Sequence, residues 1–94
     1  MDKIGIIERI RQLSTKKTEK MYLNDFLLTW DKTHDELEAV FEGAEILRGM
    51  RDNNISPRVF DSGLGVSIFR DNSTRTRFSF ASACNLLGLT LQDL

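Results

Sequence analysis

Apolar residues recur at helical spacing over residues 2–13 and again over 37–50, and after Pro57 the pattern changes to strand followed by helix. From Asp2 to Leu13, Ile4, Ile7 and Ile10 with Ile6 and Leu13 are spaced to lie along one face, which predicts a three-turn amphipathic helix docked on its own protein. Ser14 to Lys20 is polar and basic without periodicity and reads as an exposed linker. Met21 to Trp30 gathers Leu23, Phe26, Leu27, Leu28 and Trp30 at a spacing that suits either a short helix or an extended docking segment. Thr33-His34-Asp35-Glu36 is a capping-box pattern: the threonine side chain accepts from the amide three residues on, and the glutamate reaches back to the threonine amide. The helix it opens alternates spacings of three and four through Leu37, Val40, Phe41, Ala44, Leu47 and Met50. This predicts a buried face there, with Glu38, Glu42, Glu45 and Arg48 on the others. Asn53-Asn54 and Ser56-Pro57 end it.

Val59-Phe60 opens an extended segment, and Asp61-Ser62-Gly63 makes a turn. Leu64 to Phe69 is short, mostly apolar and partly β-branched, the pattern of a strand buried on both faces in a parallel sheet. A polar loop follows, then a helix from about Thr74, capped by Ser73 or Asn72, running to Gly88 as the left-handed residue at its end. Leu89-Thr90-Leu91 opens a second strand, so the predicted unit is βαβ, an α/β fold with a parallel sheet and flanking helices. The second strand begins at the last residues of the chain, which leads us to expect the N-terminal part of a longer protein. Its expected segments are an N-terminal helix and linker over 1–20 and a partial α/β domain over 21–94.

Composition changes this picture little. The 94 residues are 40% hydrophobic and 29% charged, an ordinary proportion for a water-soluble chain, and no apolar run is long enough to span a bilayer. With no basic-then-apolar leader at the N-terminus, a cytoplasmic protein is expected, without membrane association. The net charge of −1 divides into +3 over residues 1–20, −5 over 21–55 and +1 over 56–94, and no basic surface interleaved with aromatics suggests nucleic acid. Cys84, the one cysteine, falls on an apolar helix face and reads as core. The acidic residues Glu36, Glu38, Glu42 and Glu45 read as a solvated helix face. The one histidine, His34, reads as exposed, with no second ligand to make a metal site.

The candidate chemistry lies in the loop. The first amides of a helix have no intrahelical partner, and the macrodipole puts positive potential beside them, so an anion belongs there. Ser73, Thr74, Arg75, Thr76 and Arg77 add hydroxyl and guanidinium donors to those amides, which is the donor set that phosphate oxygens require. Two plainer readings stand beside this one: a non-catalytic anion-binding module, and a solvated cap or kinase substrate.

Phe69-Arg70-Asp71-Asn72 followed by Ser73-Thr74-Arg75-Thr76-Arg77 resembles the carbamoyl-phosphate motif of the aspartate and ornithine carbamoyltransferases, and the likeness extends over roughly residues 23–94. The segment from Asp25 to Trp30 and the Phe-Arg-Asp-Asn lead-in look most like the knotted YgeW-type branch. Arg70 and Asp71 depart from the lead-in usual in the aspartate and ornithine enzymes. The resemblance implies that Ser73, Thr74, Arg75 and Thr76 bind the phosphate of carbamoyl phosphate, that Arg75 and Thr76 act on the reacting group, with Thr76 touching the carbamoyl oxygen, and that Arg77 is structural support. It implies carbamoyl transfer to an amine acceptor (aspartate, ornithine, or a ureido or diamino compound) in amino-acid metabolism. It further implies no metal or organic cofactor, a homotrimer, and a later His-Pro-x-x-Gln segment and acceptor domain beyond Leu94, without which this piece is inactive.

Overall fold

The computed structural model describes residues 1–94 as two compact units, Met1–Ile55 and Ser56–Leu94. In the first, α1 (Lys3–Leu13) packs on α2 (His34–Asp52). Asp2 caps α1, its carboxylate accepting from the Gly5 amide at 2.8 Å. Both bonds of the predicted capping box are present: the Glu36 amide donates to Thr33 Oγ1 at 3.1 Å, and the Thr33 amide to Glu36 Oε1 at 2.8 Å. That second bond holds the carboxyl of the buried Glu36 below the usual carboxylate range, against the opposing effect of burial.

The faces that meet differ from those predicted. On α1 the buried residue is Ile6, while Ile4, Ile7 and Ile10 are open; on α2 Ile46 and Gly49 are buried, and Val40, Phe41 and Leu47 are open. The reason is close approach and charge. Gly49 leaves room for α1, since a Cβ there would stand 3.1 Å from Met1 Sδ and 3.4 Å from Ile6 Cγ1. One turn away, Arg9 clasps Glu42 through Nε at 3.1 Å and Nη2 at 2.9 Å.

Glu42 and Glu38 therefore do more than solvate a helix face. Lys16 Nζ meets Glu38 Oε2 at 2.5 Å, and the Lys17 amide donates to Asp35 Oδ2 at 3.1 Å, so the expected free linker is fastened to α2. The Lys16 bond, then the charge of His34, lowers the Glu38 pKa, and Glu38 in turn raises that of Lys16. His34 itself is 85% exposed, with Nε2 2.7 Å from Glu38 Oε1. Between α1 and α2, residues 22–28 run irregularly from one 3₁₀ turn, Glu19–Met21, to another, Thr29–Asp31. Leu23 adopts a left-handed backbone (φ 58°), which no helix could carry through, and Tyr22, Leu23, Leu27 and Trp30 stay open.

The second unit is the predicted βαβ. Strand β1 (Leu64–Ser67) pairs in parallel with β2 (Thr90–Asp93), Leu64 opposite Thr90 and Ser67 opposite Asp93, and α3 (Thr74–Leu87) makes the crossover. β1 is shorter than Leu64–Phe69 and is covered on one face only. Gly65 and Ser67 face inward, while Leu64 and Val66 are open because α3 lies on a single side of the sheet. Gly65 allows that packing, since a Cβ there would overlap Sγ of the buried Cys84. α3 closes on Gly88 (φ 95°), with the Leu89 amide donating to the Cys84 carbonyl at 2.8 Å and the Gly88 amide to Asn85 at 3.3 Å, the paired bonds of a Schellman end. The Val59 and Phe60 amides donate to the Leu87 carbonyl at 3.2 and 3.0 Å, which ties the extended entry segment to the same helix end.

Candidate anion-binding site

The site is assembled by the crossover itself. β1 delivers the chain at its carboxyl end, residues 68–73 turn it, and α3 starts at Thr74, so the polar loop and the helix N-terminus lie where ligands of parallel α/β sheets bind. Ser73 occupies the capping position, yet its hydroxyl makes no bond to the helix, contrary to expectation. Its backbone conformation (φ −96°, ψ 70°) is not the extended one from which a serine side chain folds over its own helix, and its amide instead donates to the Asp71 carbonyl at 2.9 Å.

The consequence is chemical. The first bond of α3 is made by the Arg77 amide to the Ser73 carbonyl at 2.8 Å, so the amides of Thr74, Arg75 and Thr76 are engaged by no protein group. The hydroxyls of Ser73, Thr74 and Thr76 and the guanidinium of Arg75 likewise take part in no hydrogen bond or ion pair within the chain; Thr74, Arg75 and Thr76 are exposed and Ser73 half-buried. Three aligned amides, three hydroxyls and a guanidinium within four consecutive residues can grip a tetrahedral oxyanion from several sides.

Arg77 is treated differently from Arg75. It is half-buried, its Nη1 lies 3.3 Å from Asp93 Oδ2, and its guanidinium lies over the Phe69 ring at 5.4 Å from the centroid. Asp93 also accepts from the hydroxyl of the buried Ser67 at 2.7 Å. Ser67, Arg77 and Asp93, with Thr74, Phe78 and Leu91, line a cleft of about 270 Å³ at the carboxyl ends of both strands. Arg77 and Phe69 stand in the motif legible in the sequence, whereas Ser67 and Asp93 do not. The available signal was a serine inside an apolar strand and an aspartate at the matching position of the next one. No three His, Cys, Asp or Glu side chains converge anywhere in the structure, and no helix is long and apolar enough to cross a membrane.

Comparison with known proteins bears directly on this loop. Residues 24–94 match the model for the aspartate/ornithine carbamoyltransferase carbamoyl-P binding domain. The chain is 57% identical over 89 residues to the protein named "Putative carbamoyltransferase YgeW" of Escherichia coli strain K12, covering 95% of this chain and 22% of that one. It is 33% identical over 70 residues to aspartate carbamoyltransferase 1, chloroplastic, of Pisum sativum, covering 74% of this chain and 18% of that one. With the aspartate carbamoyltransferase catalytic subunit of Nitratiruptor sp. the figures are 35% over 72 residues, 77% and 23%. The chain thus spans about a fifth of the length of the curated relatives it matches. The match runs from the irregular segment before α2 through α3 and β2 to Leu94, the whole loop included, and the chain belongs to the aspartate/ornithine carbamoyltransferase family, within its carbamoyl-phosphate-binding domain.

Proposed function

We propose that the complete protein carrying this chain moves the carbamoyl group of carbamoyl phosphate onto an amine and releases phosphate, and that the turn Ser73–Thr76 holds the phosphate end of the donor substrate. The observation that carries this reading is the set of unengaged donors at the start of α3, in a segment that belongs to a carbamoyl-phosphate-binding domain. In such a reaction the acceptor nitrogen attacks the carbamoyl carbon, the bond from that carbon to the phosphate oxygen breaks, and no nucleophilic side chain is required. The protein contributes orientation and charge stabilisation. The amides of Thr74, Arg75 and Thr76 and the Arg75 guanidinium meet the charge that accumulates on the leaving phosphate, while the Thr76 hydroxyl serves the carbamoyl oxygen. Because these donors belong to one helix end, they keep their arrangement as charge develops.

The acceptor is an amino-acid-like or ureido amine. The exposed, oppositely charged Arg70 and Asp71 stand at the entrance to the loop, where they suit an acceptor carrying both an amine and a carboxylate. Family membership further supports a trimeric, cytoplasmic enzyme completed by groups outside these 94 residues. The test is a carbamoyl-transfer assay of the complete protein against a panel of amines, with phosphate release as the readout. Turnover of at least one acceptor is expected. Tight carbamoyl-phosphate binding without transfer to any amine would assign the loop to an anion-binding module instead.

A further inference from the structure

Two arginines stand two residues apart in the first turns of α3 and meet different fates: Arg75 is exposed and unpaired, while Arg77 is turned onto the sheet and paired with Asp93. Arg77 follows Thr74 by three residues, so the two share a helix face, and both line the cleft at the strand ends. On the sheet side Arg77 has one anionic partner, Asp93, beside the face of the Phe69 ring. That pairing is a single contact of 3.3 Å, and the Arg77 Nε, buried within the protein, has no acceptor at all. A guanidinium so incompletely satisfied accepts another anion readily when its carboxylate is lost. Asp93 is held in its orientation by the Ser67 hydroxyl on the neighbouring strand, so the oxygen left for Arg77 is fixed by the sheet.

We propose that Asp93 is a positioning residue that neutralises Arg77 and keeps it out of the anion site, so that of these two arginines only Arg75 presents its full charge to the phosphate. The proposal rests on the phosphate-binding reading of the loop. Its functional sense lies in the product, since a second free arginine at the site would hold inorganic phosphate after transfer as firmly as it held the substrate.

The experiment is calorimetric titration of inorganic phosphate into the complete protein, with thermal melting of each variant as the check on folding. Asp93→Asn keeps the size of the side chain and an acceptor for Ser67 while removing the charge. It is expected to tighten phosphate binding roughly three- to tenfold and to steepen its salt dependence, the scale of one added unit charge at a partly solvated site. Arg77→Met in the Asp93→Asn background is expected to cancel the gain, and Arg75→Ala to weaken binding in either background. A role in holding the sheet together gives the opposite sign, so unchanged or weaker binding in Asp93→Asn overturns the proposal, as does a gain that survives Arg77→Met. If Asp93→Asn fails to fold, Asp93→Ser is read against the same outcomes. Absence of phosphate binding by the parent protein overturns the loop reading and this proposal together. Binding that is lost in Arg75→Ala but not tightened in Asp93→Asn overturns this proposal alone.

Discussion

At the scale of single residues, the functional turn is unusual for what it leaves undone. A serine in the capping position ordinarily spends its hydroxyl on its own helix, and here Ser73 does not, so the amides of Thr74, Arg75 and Thr76 keep their full capacity for a ligand. Thr33, at the start of α2, shows the ordinary case: its hydroxyl accepts from the Glu36 amide, and its own amide is taken by the Glu36 carboxylate. Thr33→Ala is therefore expected to cost about 1 kcal/mol in chemical denaturation and to leave ligand binding unchanged. The carboxyls of Glu36 and Glu38 bind protons more weakly in the folded chain than in the unfolded one. The stability they supply is thus complete above the ordinary carboxylate range and is lost as pH falls through their lowered values. Denaturation measured from neutral to acid pH is expected to show a shallower acid limb when both are changed to Gln; an unaltered limb would mean that neither carboxyl matters. Gly88→Ala is expected to be the most damaging small substitution. It places a Cβ on the Phe60 carbonyl and forces a left-handed backbone that by itself costs about 1–3 kcal/mol, visible as a lowered melting temperature.

Elements were legible in the sequence where a local chemical signal marked their ends. The capping box at Thr33, Pro57 beyond α2 and Gly88 beyond α3 located the helices, and a short apolar run broken by a polar loop and followed by a longer apolar segment located the βαβ crossover. Faces were less legible. α1 and α2 carry more apolar residues than either can bury on the other, so counting Ile4, Ile7 and Ile10, or Val40, Phe41 and Leu47, could not tell which stripe would be covered. The choice is made by a glycine and an ion pair, Gly49 and Arg9–Glu42, which hydrophobic periodicity does not weigh. Glu42→Ala is accordingly expected to loosen the α1–α2 contact by up to about 1 kcal/mol, the usual range for a partly exposed pair, without altering activity. A melting temperature equal to the parent's would show that α1 is held by Ile6 and Gly49 alone. The Ser67–Asp93 pair that faces Arg77 was hard to read for a related reason: the two residues are brought together by strand register, across 26 positions of sequence.

At the scale of the whole molecule, the buried apolar residues are Ile6, Ile46 and Cys84, and no side chain is entirely enclosed. In the second unit Leu64 and Val66 of the two-stranded sheet are open, and in the first unit Phe26, Phe41 and Trp30 are exposed, which leaves much apolar surface in contact with water. These 94 residues on their own are expected to self-associate and to melt over a broad range; a sharp, concentration-independent transition of a monomer would contradict that. The central claim, that the turn at the start of α3 works on carbamoyl phosphate, is tested most directly by Arg75→Ala in the complete protein. Arg75 is the one exposed, unpaired cation of the turn, and its contact strengthens as charge builds on the leaving phosphate. The measurement is steady-state carbamoyl transfer by the parent, by Arg75→Ala, by Arg75→Lys, and by Glu45→Ala as an exposed control. The account predicts a loss on the order of 10²–10³ in kcat/KM for Arg75→Ala, little recovery in Arg75→Lys because an ammonium lacks the planar two-point grip, and an unchanged Glu45→Ala. Near-parental transfer by Arg75→Ala, or an equal loss in Glu45→Ala, would contradict it.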